Sequence, residues 1–158
     1  MEAAQKVIAI RAARCYRIVS HVGATIIAGI PPVHLIAASY AEMYGRTKAI
    51  KDRLGEVPAR AKGELRLQIS RSLTQKWKDY LLDPRLQGER MREAVQPVLE
   101  EWLERRKRGT TFHTLQVISG HGCFGDYLLW IRKERTTRCH HCPEEEDTAQ
   151  HTLECCPT

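Results

Sequence analysis

An apolar residue returns every fourth position at Leu65, Ile69, Leu73, Trp77 and Leu81. Residues four apart share one face of an α-helix, so this repeat predicts a long amphipathic helix. It should stop before Asp83-Pro84, because proline disfavours helical geometry in the residue ahead of it. Arg60, Lys62, Arg66, Arg71, Lys76 and Lys78 occupy its other faces. The same period runs through most of the chain. Residues 1–19 carry Ile8, Ala12, Cys15, Ile18 and Val19 at helical spacing. Ser20 can cap a short second helix through Ala28, closed by Gly29. Pro31 and Pro32 suit a turn and a new helix start, after which Leu35, Ile36, Met43, Ile50 and Leu54 form one stripe up to Gly55 and Pro58. Met91, Val95, Val98, Leu99, Trp102 and Leu103 predict a further helix, kinked or broken at Pro97 and running into Arg105-Arg106-Lys107-Arg108 before Gly109. No alternating strand pattern, internal repeat or low-complexity tract interrupts this. The fold expected is mainly α.

The 158 residues suffice for one modest core or for a helical domain with a small appendage. No apolar run approaches the ~20 residues of a membrane span, so no membrane partner is expected. Lys6, Arg11, Arg14 and Arg17 break the N-terminal apolar stretch, unlike a secretory signal, so the cysteines are expected to be reduced ligands or core residues. Charge divides the chain unevenly. Residues 1–138 hold all 25 Lys and Arg against 14 acidic residues, a formal +11, while the last twenty hold five acids and no Lys or Arg. A basic body of this kind suits nucleic acid, although a solvated helix face would carry the same residues.

The segment Phe112 to Glu134 places Gly120, His121 and Gly122 between two apolar helical runs. A Gly-His-Gly turn can expose an imidazole for catalysis or a metal. No nucleophile pattern accompanies it, so the favoured reading is a tight helix–helix turn in which His121 hydrogen-bonds locally. Leu128, Leu129 and Ile131 are then expected to pack as one helix face, followed by Arg132, Lys133 and Arg135.

The tail, "RCHHCPEEEDTAQHTLECCPT", gathers four of the six cysteines and three of the seven histidines. Cys139 and Cys142 form a close pair whose thiolates can reach one ion at ~2.3 Å, and His151 with Cys155 or Cys156 completes four ligands. Four protein ligands leave no open position, which predicts a structural zinc in a small knuckle-like module. Asp147-Thr148 reads as a helix start with His151 on a short helix. On that helix the i, i+4 relation favours Cys155. A redox role for the Cys-x2-Cys pair lacks a surrounding βαβ pattern.

Three blocks together resemble the C-terminal part of the reverse-transcriptase polyprotein of arthropod non-LTR retrotransposons, the type-1 elements that insert into ribosomal DNA. "YRIVSHVGATIIAGIPPVHLIA", Tyr16 to Ala37, is similar to the segment that follows the polymerase region. "FHTLQVISGHGCFGDYL", Phe112 to Leu128, is similar to the family's Gln…Thr-Gly-His-Gly…Phe…Tyr-Leu motif, with Ser119 in place of Thr. The tail matches a Cys-x2-Cys-x8-His-x4-Cys-Pro finger. Gly88 to Arg92 departs from the family by lacking a Trp-Thr pair, and the chain ends where the family usually continues, as a truncated end or isolated fragment would.

The resemblance implies a helical segment following the polymerase region at residues 1–57, a helical basic body with the Gly-His-Gly turn at 58–138, and the zinc module at 139–158. It implies Cys139, Cys142, His151 and Cys156 as ligands, with Cys155 as the alternative fourth. The parent polyprotein would be an RNA-directed DNA polymerase with endonuclease, working in the nucleus by target-primed reverse transcription. Magnesium would belong only to those polymerase and endonuclease domains. Asp52, Asp79, Asp83, Asp126 and Asp147 are scattered, so no catalytic residue is expected in this chain. Its partners would be RNA or DNA and the upstream domains of the same polyprotein. Phosphates would meet Arg105, Arg106, Lys107, Arg108, Arg132, Lys133 and Arg135, and His140 and Phe124 could stack on bases. The alternative is a helical protein–protein module with a structural zinc, a domesticated or decaying remnant.

Overall fold

The most apolar stretch of the chain becomes its most enclosed element. The computed structural model describes residues 1–107, 111–143 and 146–157, the side chains of residues 106 and 107 excepted. Its helices are α1 (Glu2–Ala13), α2 (His21–Ala28), α3 (Val33–Leu54), α4 (Ala59–Tyr80), α5 (Glu89–Val95), α6 (Leu99–Lys107), α7 (Phe112–Ser119), α8 (Gly125–Trp130) and α9 (Ala149–Glu154). Among the described residues there is no strand, and the protein is mainly helical. In α2, every residue from Val22 to Ala28 is buried. Helices α1 and α5 pack against it, α7 packs on α5, and α9 on α7. Ala9, Val22, Ile26, Ile27, Trp77, Leu81, Met91, Val95, Leu99, Trp102 and Leu115 belong to one core cluster. This core draws on residues from both sides of position 57.

The local signals around α2 work as expected. Ser20 Oγ accepts from the Gly23 N–H, and Gly29 ends the helix at φ 61°. There the Ile30 and Gly29 N–H groups donate to Thr25 O and Ile26 O, both at 3.0 Å, a Schellman turn. Trp102 Nε1 adds a 2.9 Å bond to Ile26 O from α6.

Helix α1 differs from expectation. Arg14 turns left-handed at φ 55° and ends it, so Cys15, Ile18 and Val19 follow in a turn. Ile8 is 60% exposed, and the buried positions are Ala9 and Gln5. The Gln5 amide explains the rotation. Its Nε2 donates to Pro31 O at 2.7 Å, and its Oε1 accepts from the Val33 N–H at 3.0 Å. His21 Nε2 lies 3.1 Å from that same oxygen. A carbonyl can only accept and a backbone N–H only donate, which fixes the amide's orientation, so His21 must carry its hydrogen on Nε2. Burial pushes the His21 pKa below its ordinary value.

Helices α3 and α4 form a hairpin that leaves the core. Leu65, Ile69, Trp77 and Leu81 are buried as the four-residue repeat predicts, but only Trp77 and Leu81 join the central cluster. Helix α3 contains no buried residue. Arg92 closes the far end of α4, donating from Nη1 to Leu81 O at 2.9 Å. The chain breaks between α5 and α6 at Pro97, as expected. Val98, Leu129 and Ile131, expected to pack, are exposed instead. No single helix among the described residues is long and apolar enough to cross a membrane. Helices α2 and α3 meet that test only jointly, across a 55° bend.

Gln5→Ala leaves the buried partners of one amide without it. It is expected to lower stability by about 1–3 kcal/mol, read as a reduced urea midpoint with an unchanged denaturant slope.

Candidate metal centre

The cysteine–histidine tail folds back on itself as a knuckle followed by one short helix. In the knuckle, the His141 N–H points at Cys139 Sγ, 3.4 Å away. Thr148, not Asp147, caps α9. Its hydroxyl accepts from the His151 N–H at 3.0 Å and so sets the imidazole one turn into the helix.

These two pieces bring Cys139, Cys142, His151 and Cys156 together, with one ligand atom from each lying within 4.8 Å of all the others. Cys142 Sγ is 3.2 Å from His151 Nε2, and Cys139 Sγ is 4.0 Å from Cys156 Sγ. A regular tetrahedron with ~2.3 Å metal–sulfur bonds has edges of about 3.8 Å. Three sulfurs and a nitrogen at these separations surround a space the size of one ion. Cys139 and His151 are buried, and Cys142 and Cys156 half-buried. This cluster can hold a metal ion with four protein ligands.

The choice between Cys155 and Cys156 turns on where α9 stops. Glu154 is its last residue, and Cys155 leaves the helix at φ −120° and is exposed. The N–H groups of Cys155 and Cys156 both donate to His151 O at 2.9 Å, so the chain tightens there and returns Cys156 to the cluster. The i, i+4 relation holds only within a helix, and α9 has ended by residue 155. His140 and His141 are exposed and lie outside the four.

The module is tied to the helical body through Asp147. Its N–H donates to Thr137 O at 2.7 Å, and its carbonyl accepts from the Asp126 N–H at 3.1 Å. Its Oδ2 accepts from the Gly125 N–H at 3.0 Å. Gly125 is required by crowding, since a Cβ there would sit 2.6 Å from Thr137 O. This docking role for Asp147 and Gly125 was not anticipated. The available signal was the Asp-Thr pair itself, because only one of the two can be the cap.

The Gly-His-Gly segment is the tight turn expected, with Gly120 ending α7 at φ 69°. His121 hydrogen-bonds locally, as expected, but through its backbone and not through ring Nδ1. Its backbone N–H reaches Ser119 Oγ at 3.3 Å, while the ring Nδ1 is buried without a partner. The ring stands edge-on to Tyr127, with centroids 5.3 Å apart. Burial lowers the His121 pKa, and nearby Asp126 opposes that shift. Phe124 is only 8% exposed and covers Gly122, so it offers no stacking surface. Arg105, Arg132, Lys133 and Arg135 are all exposed, and none of the four forms an ion pair among the described residues. Arg108 and the side chains of Arg106 and Lys107 lie outside the described residues.

Compared with family models, with curated proteins and with solved structures, the chain matches none.

Replacing Cys156 with Ser is expected to abolish tight metal binding, whereas Cys155→Ser should leave affinity within roughly a few-fold of the parent. Titration with cobalt, followed through its thiolate absorption, separates the two. Gly125→Ala should loosen the tail from the body, seen as faster amide exchange over residues 139–157 with α2 unaffected.

Proposed function

We propose that this chain is the nucleic-acid-binding C-terminal region of a non-LTR retrotransposon reverse-transcriptase polyprotein of the type-1 kind, and that its metal is a structural zinc. The observation that carries this reading is the closure of the cluster by Cys156. It gives Cys-x2-Cys-x8-His-x4-Cys-Pro, the spacing of the finger that the three sequence blocks resemble. Three thiolates and one imidazole form a soft, tetrahedral donor set, which suits zinc better than magnesium or calcium. With all four positions taken by protein, the ion's work is to fold the knuckle.

The residues around it supply charge. Arg132, Lys133 and Arg135 lie between α8 and the knuckle, and Arg105 opens the basic block at the end of α6. Exposed and unpaired among the described residues, the first three and Arg105 are available to phosphates. In this reading the chain holds RNA or DNA while the upstream domains of the same polyprotein, working in the nucleus, carry the polymerase and endonuclease chemistry and its magnesium. A second reading, a protein–protein module with a structural zinc, is favoured by the α3–α4 hairpin, where Tyr40 and Tyr44 are each 71% exposed and Leu67 62%.

Metal analysis of the reduced protein should find one zinc per chain. Chelation should unfold the tail while the helical body largely persists, since such a site contributes on the order of 10 kcal/mol to its own knuckle. A salt titration decides between the two functional readings. Contact with Z phosphates gives a slope of log affinity against log salt of about −0.9Z on duplex DNA and about −0.7Z on a single strand. Reversing Arg132, Lys133 and Arg135 to Glu should weaken binding and flatten that slope with little change in sequence preference. A chain that binds neither form of nucleic acid would hand the lead to the protein-interface reading.

A further inference from the structure

Resting on that nucleic-acid reading, we infer that a row of aromatic rings on this chain is a stacking platform for single-stranded nucleic acid, with one base seated on the exposed Trp130 ring beside His121. The row joins three segments far apart in sequence. Phe112 meets Tyr16 at 5.6 Å between ring centroids, Tyr16 meets Tyr127 at 6.4 Å, and Tyr127 meets Trp130 at 5.9 Å. Tyr16, near the middle of the row, is fixed by a hydrogen bond that its hydroxyl accepts from Gln116 Nε2 at 3.1 Å.

Burial separates this row from core aromatics. Trp77 and Trp102 are buried, whereas Trp130 is 64% exposed and Phe112 49%. Two large rings in water at the ends of an ordered row add little to the core, so folding does not account for them. At the Trp130 end, Gly120, His121, Asp126, Tyr127 and Trp130 line a shallow depression of about 230 Å3, open to solvent. That is below the roughly 300–1,000 Å3 of pockets enclosing drug-sized ligands, and suits a single planar group. The Asp126 carboxylate at its edge can accept from a base's amino group and would repel a phosphate.

Charge favours nucleic acid over an apolar protein surface as the occupant. Arg17 directly follows Tyr16, and Arg132 and Lys133 follow Trp130 closely. All three are exposed, and none forms an ion pair among the described residues. Exposed rings flanked by unpaired cations are what a single strand requires, with faces for bases and charges for phosphates. A duplex keeps its bases stacked inside and can use only the charges.

The test uses the full, zinc-loaded chain and fluorescently labelled oligonucleotides, single-stranded and duplex, at one salt concentration. Trp130→Ala should weaken single-strand binding roughly tenfold and leave duplex binding and the salt slope unchanged. Trp130→Phe should recover most of the loss. Single strands should quench tryptophan fluorescence in the parent but not in Trp130→Ala, because the other two indoles are buried. If Trp130→Ala binds single strands as the parent does, with salt dependence intact, the platform is wrong while the nucleic-acid reading stands. Equal losses on single strand and duplex would also overturn stacking. If the parent binds neither probe, both readings fall together, and a protein partner is what covers the row.

Discussion

Enclosing α2 sets the terms for everything packed around it. Fully burying a side chain such as Val22, Ile26 or Ile27 gains about 1.5–3 kcal/mol. Burying the ends of the helix would forfeit that gain, since each unmet backbone group costs about 1–3 kcal/mol. The chain meets the requirement at both ends. Ser20 accepts from Gly23 at the start, and the Gly29 turn closes the finish with two backbone bonds. Trp102 contributes a third bond there from α6. With its ends satisfied, α2 can take α1 on one side and α5 on another, and Gln5 then locks α1 to the start of α3.

The parts of the fold visible in the sequence are those whose causes are local. Ser20 and Gly29 mark α2 because a cap is chosen by its immediate neighbours. The Leu65 repeat marks α4, and Pro97 separates α5 from α6. The buried face of α1 is hidden from the sequence for the opposite reason. Ile8 and Ala12 are more apolar than Gln5, and periodicity alone turns them inward. Gln5 is buried because Pro31, Val33 and His21, 26, 28 and 16 residues away, satisfy its amide. No window along the chain contains that information. Arg14 compounds the error by stopping the helix in a left-handed conformation that an arginine gives no sign of adopting.

The metal cluster divides along the same line. Cys139, Cys142 and His151 were legible from spacing, because a knuckle and a capped helix are short-range structures. The fourth ligand was ambiguous because it depends on where α9 ends, and a one-residue change there exchanges Cys155 for Cys156. The aromatic row had no sequence signal. Tyr16, Phe112 and Tyr127 meet only after the turn beyond α1 has been assembled with α7 and α8, and of the two residues expected to stack on bases, His140 and Phe124, the Gly122 turn buries the second.

The cluster and the row are also mechanically connected. His151 is held by α9, whose start is set by Thr148, and the adjoining Asp147 grips Thr137, Gly125 and Asp126 through three hydrogen bonds. Gly125 and Asp126 are the first residues of α8, the helix that carries Tyr127 and Trp130. An ion bound in the knuckle would therefore also steady the attachment of α8, six residues long and too short to hold its shape unaided. Thr137 lies between Arg135 and Cys139, so the basic segment is clamped at the same point. A metal ion held by these four ligands would thus bear on a surface it never touches, through the position of the rings and the cations beside them.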